Sequence, residues 1–272
     1  MTTAPGGSEP SRLSTPDVAS HRKAVAKRLA RAGFIAADEE AAELIRSAGA
    51  DAALLESLLE RRLTGEPLAW ITGRVTFCGI EIEIDPGVYV PRWQSEPLAR
   101  GAAKRLGVDG VAIDLCTGSG AVAKAIMAAR PAAAVFASDL DSRAVACARR
   151  NGVDAYLGDL FDPIPRALAG SVDVIVAVVP YVPTADLPLL QRDTFSFESP
   201  LSYDGGPDGT DILRRVLRES PRFLHRGGGL LLEIGGKQAE ALRADLDHLG
   251  YRKVTLLHDE EGDLRGLEAT LT

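Results

Sequence analysis

The chain has 272 residues, enough for one sizeable domain and a smaller companion. Its hydrophobic content of 46% and charged content of 25% are those of an ordinary globular protein, and a net charge of -7 excludes the clustered basic excess behind general nucleic-acid binding. Three cysteines without metal-ligand spacing and four scattered histidines point to reduced thiols in a cytoplasmic protein with no metal site, and no run reaches the ~20 apolar residues that a membrane helix needs.

The opening M-T-T-A-P-G-G-S-E-P-S lacks the basic start and apolar core of a signal peptide, and residues 1–16 are expected to form a disordered tail. Residues 17–73 read as a helical domain. Val25, Leu29 and Ile35, then Ala41, Leu44 and Ile45, then Leu54, Leu58 and Leu59 recur at three- and four-residue spacing, which predicts three short helices. Residues 74–93 form a linking segment, in which T-F-C-G-I-E-I-E-I-D-P alternates apolar and polar residues as a hairpin does.

From residue 94 to 272 the style changes. V-A-I-D-L at Val111, A-V-F-A-S-D at Ala134, D-A-Y-L at Asp154, V-D-V-I-V-A at Val172 and G-L-L-L-E-I at Gly229 are short apolar runs. Helical stretches at Ala121–Arg130, Ser142–Asn151 and Asp211–His225 separate them. That alternation predicts βαβ units and a parallel sheet with helices on both faces. Y-R-K-V-T-L-L and L-E-A-T-L-T are too close for a long helix between them and predict an antiparallel pair closing one sheet edge.

Three features fall at successive strand ends. D-L-C-T-G-S-G (Asp114 to Gly120) joins a strand to a helix, where glycines let the backbone approach a ligand. Asp139 ends the next strand, placed to accept both hydroxyls of a ribose or, equally for its residue type, to cap the following helix alongside Asp141 and Ser142. Asp159 follows the third strand, where a carboxylate can meet an adenine amino group beside Phe161. With neither a G-x-G-x-x-G nor a G-x-x-x-x-G-K-[ST] pattern, the adenosine cofactor that fits best carries no phosphates, which leaves S-adenosylmethionine (SAM).

Here the chain resembles the class I methyltransferases of the protein-(glutamine-N5) type, which modify the Gly-Gly-Gln glutamine of peptide-chain release factors. The resemblance runs from about Ala24 onward. It rests on R-R-L-T-G-E-P-L-A-W-I-T-G, F-C-G-I-E-I-E-I-D-P-G-V-Y-V-P-R and Glu96, on D-L-C-T-G-S-G, Asp139 and Asn151, and on Phe197, Glu198, Pro200 and D-G-G-P-D-G. It implies an α/β fold with a seven-stranded, Rossmann-like sheet, an N-terminal helical domain and a linking β-hairpin. It also implies a SAM site formed by Asp114, Cys116, Thr117, Gly118, Gly120, Asp139, Leu140, Asp159, Leu160 and Phe161.

One departure falls at the centre. Where the family carries Asn-Pro-Pro-Tyr, this chain reads Val178-Val179-Pro180-Tyr181. In the family the Asn side chain and neighbouring carbonyls hold the acceptor amide, whose delocalised lone pair makes positioning decisive. Valine neither donates nor accepts, so an amide site would lose hydrogen bonds of about 1–3 kcal/mol each. The sequence reading therefore favours a SAM-dependent methyltransferase acting on a non-amide, small-molecule acceptor. The alternative is a glutamine N5-methyltransferase whose partner is a release-factor-like protein. Two further readings are attack on the aminopropyl chain of SAM, giving methylthioadenosine, and SAM binding without catalysis.

Val178, Pro180, Tyr181 and Glu198 are the candidate catalytic residues, with Asp186, Asp193 and Asp204 as lesser loop candidates. Arg92 and Glu96 read as residues that lock the domains together. Trp93 stands where the family has a small residue or proline.

Overall fold

The structure is a computed structural model and describes residues 15–190 and 197–272. Residues 1–14 of the expected tail and the candidate Asp193 lie outside the described residues, whereas Thr15 and Pro16, expected in the tail, open a helix. The chain divides into two compact units, one ending at Thr72 and one running from Gly73 to Thr272.

The first unit contains α1 (Thr15–Arg31), α2 (Ala37–Ala48), α3 (Ala52–Leu63) and the short α4 (Leu68–Thr72). Val25, Leu29, Ala41, Leu44, Leu55, Leu58 and Leu59 form its core, as the helical spacing predicts. Ile35 was expected among them and is instead fully exposed. The reason is local: Gly33 takes φ +93°, the Phe34 N–H donates back to the Leu29 carbonyl at 3.1 Å, and α1 is closed before Ile35 is reached. Leu54, also expected inside, sits in the first turn of α3 and faces outward, while Leu55 takes the core position.

The second unit opens with the hairpin β1 (Arg74–Phe77) and β2 (Ile80–Glu83), paired antiparallel. There follow α5 (Glu96–Arg105), β3 (Val111–Leu115), α6 (Ala121–Ala129), β4 (Ala134–Asp139), α7 (Ser142–Arg150), β5 (Asp154–Leu157) and β6 (Val172–Ala177). The chain continues through α8 (Asp211–Glu219), β7 (Leu224–Glu233), α9 (Gln238–Ala241), α10 (Arg243–His248), β8 (Tyr251–His258) and β9 (Leu264–Leu271). The seven-stranded sheet has the order β5-β4-β3-β6-β7-β9-β8. Neighbours from β5 to β7 are parallel, and β9 pairs antiparallel with both β7 and β8, the edge pair that the short C-terminal spacing predicts.

Strands covered on both faces need no polar alternation, so β3, β6 and the Leu230–Leu232 stretch of β7 are near-continuous apolar runs. Ile113, Leu115, Ile175, Ala177, Leu230 and Leu232 meet Leu213, Val216 and Leu217 of α8. The helix expected over Asp211–His225 stops at Glu219, because Ser220 and Pro221 turn the chain and residues from Leu224 join β7.

The hairpin belongs to the second unit, and Asn151 shows why. Its Oδ1 accepts from Glu83 N at 3.0 Å and from Lys124 Nζ at 3.0 Å, and its Nδ2 donates to the carbonyls of Glu83 at 2.8 Å and Ser119 at 2.9 Å. A single buried amide thus ties β2 to the turn after β3. No described helix is long and apolar enough to cross a membrane.

Candidate active site

The site is built at the carboxyl ends of β3, β4 and β6, where the sheet order reverses direction between β3 and β6. The turn after β3 is fixed from below. Asp114 is buried and accepts from Thr117 Oγ1 at 2.6 Å and Ala123 N at 3.2 Å; burial pushes its carboxyl up to about 7. Thr117 N donates to the Ser138 carbonyl at 3.0 Å, tying the turn to β4. Cys116 passes through φ +56°, and burial raises its thiol well above the ordinary range.

The two glycines of T-G-S-G do different work. At Gly120 (φ +81°) a Cβ would come within 2.9 Å of Val153 Cγ2 and 3.1 Å of Ala148 Cβ, so this glycine lets α7 pack closely. At Gly118 (φ +56°) a Cβ would meet nothing within 4 Å, so this backbone faces open space. Ser119 Oγ, next to it, is buried with no hydrogen-bond partner among the described residues.

Asp139 faces that open backbone. Its Oδ2 accepts from Gly118 N at 2.8 Å and its Oδ1 from Asp141 N at 2.9 Å; each oxygen keeps capacity for one more donor. Burial holds its carboxyl above the usual carboxylate range. The capping alternative is resolved by Asp141, whose Oδ1 accepts from Arg143 N at 2.8 Å at the start of α7. Leu140 is 70% exposed beside Asp139, a bare apolar surface at the strand end.

The turn after β5 is less open than expected. Asp159 is paired with Arg215 Nη2 at 2.8 Å. Leu160 is buried at φ +45°, and its carbonyl accepts from Ser138 Oγ at 2.6 Å. The ring of Phe161 was expected beside an adenine; it points into the core and stacks on Phe223 at 5.0 Å and 15°. Apolar burial decides its orientation, which leaves Asp159 and the backbone of Leu160 at the rim. The open Gly118 backbone, the spare capacity of Asp139 and the bare Leu140 together fit a nucleoside cofactor without phosphates.

On the acceptor side, Ala177 is in register with Leu115 and Leu232, so Val178 leaves the sheet beside Glu233. Val178 is half-buried, Val179 is buried in the core, and Pro180 and Tyr181 form the rim. Three hydrogen bonds from two strips of chain hold this loop. Val182 N donates to the Tyr203 carbonyl at 2.8 Å, Gly205 N to the Val182 carbonyl at 2.9 Å, and Gln238 Nε2 to the Tyr181 carbonyl at 2.7 Å. The glycines of D-G-G-P-D-G are required here: a Cβ at Gly205 would stand 2.7 Å from Tyr181 Cα, and one at Gly209 2.2 Å from Tyr181 O. The carbonyls of Val179 and Pro180 accept no hydrogen bond among the described residues.

Glu198 lies near this loop as a strut. Its Oε1 accepts from Val90 N at 2.9 Å, and its Oε2 accepts from Arg92 Nη2 at 2.6 Å and from the Tyr203 hydroxyl. With both oxygens committed in a buried setting, it is not poised as a free base. Arg92 is thereby explained too, and Glu96 accepts from Cys78 N at 2.8 Å and Arg100 Nη2 at 2.5 Å; both stay within the second unit. Asp204 caps its own turn, accepting from Thr184 Oγ1 at 2.7 Å and Gly206 N at 3.0 Å. Asp186 is exposed. Trp93 is 52% exposed, with the Arg265 guanidinium 5.1 Å from its ring centroid.

Sequence reasoning missed Glu233. It ends β7, is 4% exposed, and burial raises its carboxyl above the usual range. Its Oε2 is buried with no partner among the described residues. The signal was the acid inside L-L-L-E-I, which parallels Asp114 inside V-A-I-D-L.

No family model matches the chain. Curated relatives do. A release factor glutamine methyltransferase of Geobacter sulfurreducens is 33% identical over 216 residues, covering 77% of this chain and 75% of the relative. One of Neisseria gonorrhoeae is 37% identical over 216 residues, covering 76% of this chain and 77% of the relative. Among solved structures, the hMettl16 catalytic domain aligns with a TM-score of 0.55 at 13% identity, covering 79% of this chain and 82% of that one. A methyltransferase from Pyrococcus furiosus aligns with a TM-score of 0.50 at 22% identity, covering 71% and 89%. These two show the fold, and the sequence relatives show the family. The open strand-end site lies on a chain that belongs to the release factor glutamine methyltransferase family, and it is a SAM-dependent methyltransferase.

Proposed function

We propose that this protein transfers a methyl group to the side-chain amide nitrogen of a glutamine in a release-factor-like protein. The observation that carries the reading is the acceptor loop: Pro180 and Tyr181 keep its form, and the carbonyls of Val179 and Pro180, which accept no hydrogen bond among the described residues, are the acceptors it offers to the N–H groups of an amide. The relatives support this acceptor better than the small-molecule, non-amide acceptor that Val178 suggests when read alone.

Asp139 is assigned the ribose hydroxyls, Leu140 one face of the adenine, and Gly118 with Ser119 the close backbone approach. Asp159, already paired with Arg215, is left to the adenine rim. When bound, SAM supplies an electrophilic methyl on a sulfonium. The protein's part is to hold the amide nitrogen in line with that methyl and to exclude water, with the loop carbonyls taking the N–H groups as the lone pair is freed. The Tyr181 ring is assigned a cation–π contact to the sulfonium, worth about 0.5–2 kcal/mol.

The test is incubation of the purified protein with SAM and a recombinant bacterial release factor. A gain of one methyl on the Gly-Gly-Gln peptide, with S-adenosylhomocysteine formed in equal amount, is expected. Absence of that gain at high enzyme concentration would overturn the acceptor, and methylthioadenosine as the product would move the reaction to the aminopropyl chain. Val178 specifically favours the second reading, a non-amide acceptor. That reading gains if S-adenosylhomocysteine accumulates only with small-molecule nucleophiles.

A further inference from the structure

The backbone of the turn after β5 is tied to β4 and folded back on itself. Gly158 N donates to the Asp139 carbonyl at 3.0 Å, and Asp162 N to the Asp159 carbonyl at 2.9 Å. Ser138, fully buried near the end of β4, holds both cofactor turns. Its carbonyl accepts from Thr117 N at 3.0 Å, and its hydroxyl donates to the Leu160 carbonyl at 2.6 Å. Leu160 takes φ +45°, a conformation that a leucine rarely adopts unless its surroundings hold it there.

What this backbone presents is the side chain of Asp159, and a distant helix takes hold of it. Arg215, in the second turn of α8, donates from Nη2 to Asp159 Oδ2 at 2.8 Å. Oδ1 of the same carboxylate accepts no hydrogen bond among the described residues, and the side chain stays 43% exposed. Asp139 is in register with Leu157, so Asp159 stands two residues beyond that level on the same sheet edge. An ion pair this exposed adds little to stability. Its effect on the carboxylate is to hold one oxygen and leave the other at the rim.

We propose that Arg215 is a positioning residue for the cofactor: by holding Asp159 Oδ2 it aims Oδ1 at the 6-amino group of the adenine. The pair thereby makes the site selective for adenosine over a purine nucleoside that lacks this donor. The inference rests on the assignment of Asp159 to the adenine rim and is independent of the acceptor. A carboxylate already fixed by the guanidinium loses less freedom when it accepts the amino N–H. A base without that group leaves the site one charge-assisted hydrogen bond short.

The test is isothermal titration calorimetry of the full chain with S-adenosylhomocysteine and with its 6-desamino purine analogue. It compares the wild type, Asp159→Ala, Arg215→Ala, Arg215→Lys and the Asp159→Ala/Arg215→Ala pair. The wild type is expected to prefer S-adenosylhomocysteine by about tenfold or more, the size of one hydrogen bond to a charged group. Arg215→Ala should lower that preference to the level of Asp159→Ala, Arg215→Lys should keep part of it, and the pair should lose nothing further. The Kd for the desamino analogue should stay within about twofold throughout, whereas a merely structural loss would weaken both ligands together. Full preference in Arg215→Ala, or equal weakening of both ligands, would overturn the role of Arg215 and leave Asp159 at the adenine. No binding or no preference in the wild type would overturn both. No release factor enters the test, so the proposed acceptor is judged separately.

Discussion

Gln238 reaches across from the start of α9 and donates to the Tyr181 carbonyl at 2.7 Å, joining the acceptor loop to the turn after β7. The same nitrogen serves Gly209, so one side chain closes three segments onto each other. Gln238→Ala leaves the Tyr181 and Gly209 carbonyls and the Gly235 N–H short of a partner. The expected loss is about 1–3 kcal/mol of unfolding free energy, measured by chemical denaturation, with SAM affinity preserved. An unchanged denaturation midpoint would show that water replaces the side chain without cost.

The glycines of the cofactor turn separate stability from binding. Gly120→Ala drives a Cβ into Val153 and Ala148 at φ +81°, and should cost about 3 kcal/mol or more of stability. Gly118→Ala enters open space at φ +56° and costs about 1–2 kcal/mol, but places a methyl where the cofactor approaches. Paired calorimetric Kd and thermal unfolding should show the larger affinity loss at Gly118 relative to its stability loss. Equal ratios at the two positions would remove the distinction.

Val178→Asn restores a side chain that accepts an amide N–H beside the Val179 and Pro180 carbonyls. With one hydrogen bond of about 1–3 kcal/mol regained, kcat/KM for the release-factor glutamine should rise roughly 5- to 150-fold. A flat or lower value would mean that the loop no longer presents this position to the acceptor.

Asp114 gives a pH dependence with a definite sign. Its carboxyl titrates near 7 in the folded chain against 3.8 as the ordinary value, so the folded state binds more protons across that window. Stability supplied by this group is present below pH 4 and is lost as pH rises toward 7, about 4 kcal/mol in all. Asp114→Asn removes the titration. Relative to the variant, the cofactor-free wild type should therefore lose stability between pH 5 and 7 and level off above it. A constant difference across those pH values would refute the assignment.

Much of the second unit was legible because its signals are local. V-A-I-D-L, A-V-F-A-S-D, D-A-Y-L and V-D-V-I-V-A are the strands β3 to β6 at their expected residues, since the central strands are buried on both faces and each run is bounded by turn or helix residues. Asp139 and Gly118 were identifiable because strand ends and tight turns restrict which residues fit. Ile35 was misplaced because a helix end depends on one glycine's φ, which periodicity does not register.

The sequence by itself determined the sheet and the cofactor class from short-range pattern, residue chemistry and the family resemblance, and against that resemblance it marked the Val178 departure. Tertiary structure alone decided the roles of groups whose partners are distant in the chain. Glu198 became a strut once Val90, Arg92 and Tyr203 surrounded it, Phe161 turned inward onto Phe223, and Gln238 met the Tyr181 carbonyl from beyond β7. Those meetings are set by the parallel register of β6 and β7 and by burial, which bring together residues more than fifty positions apart and fix what each can do.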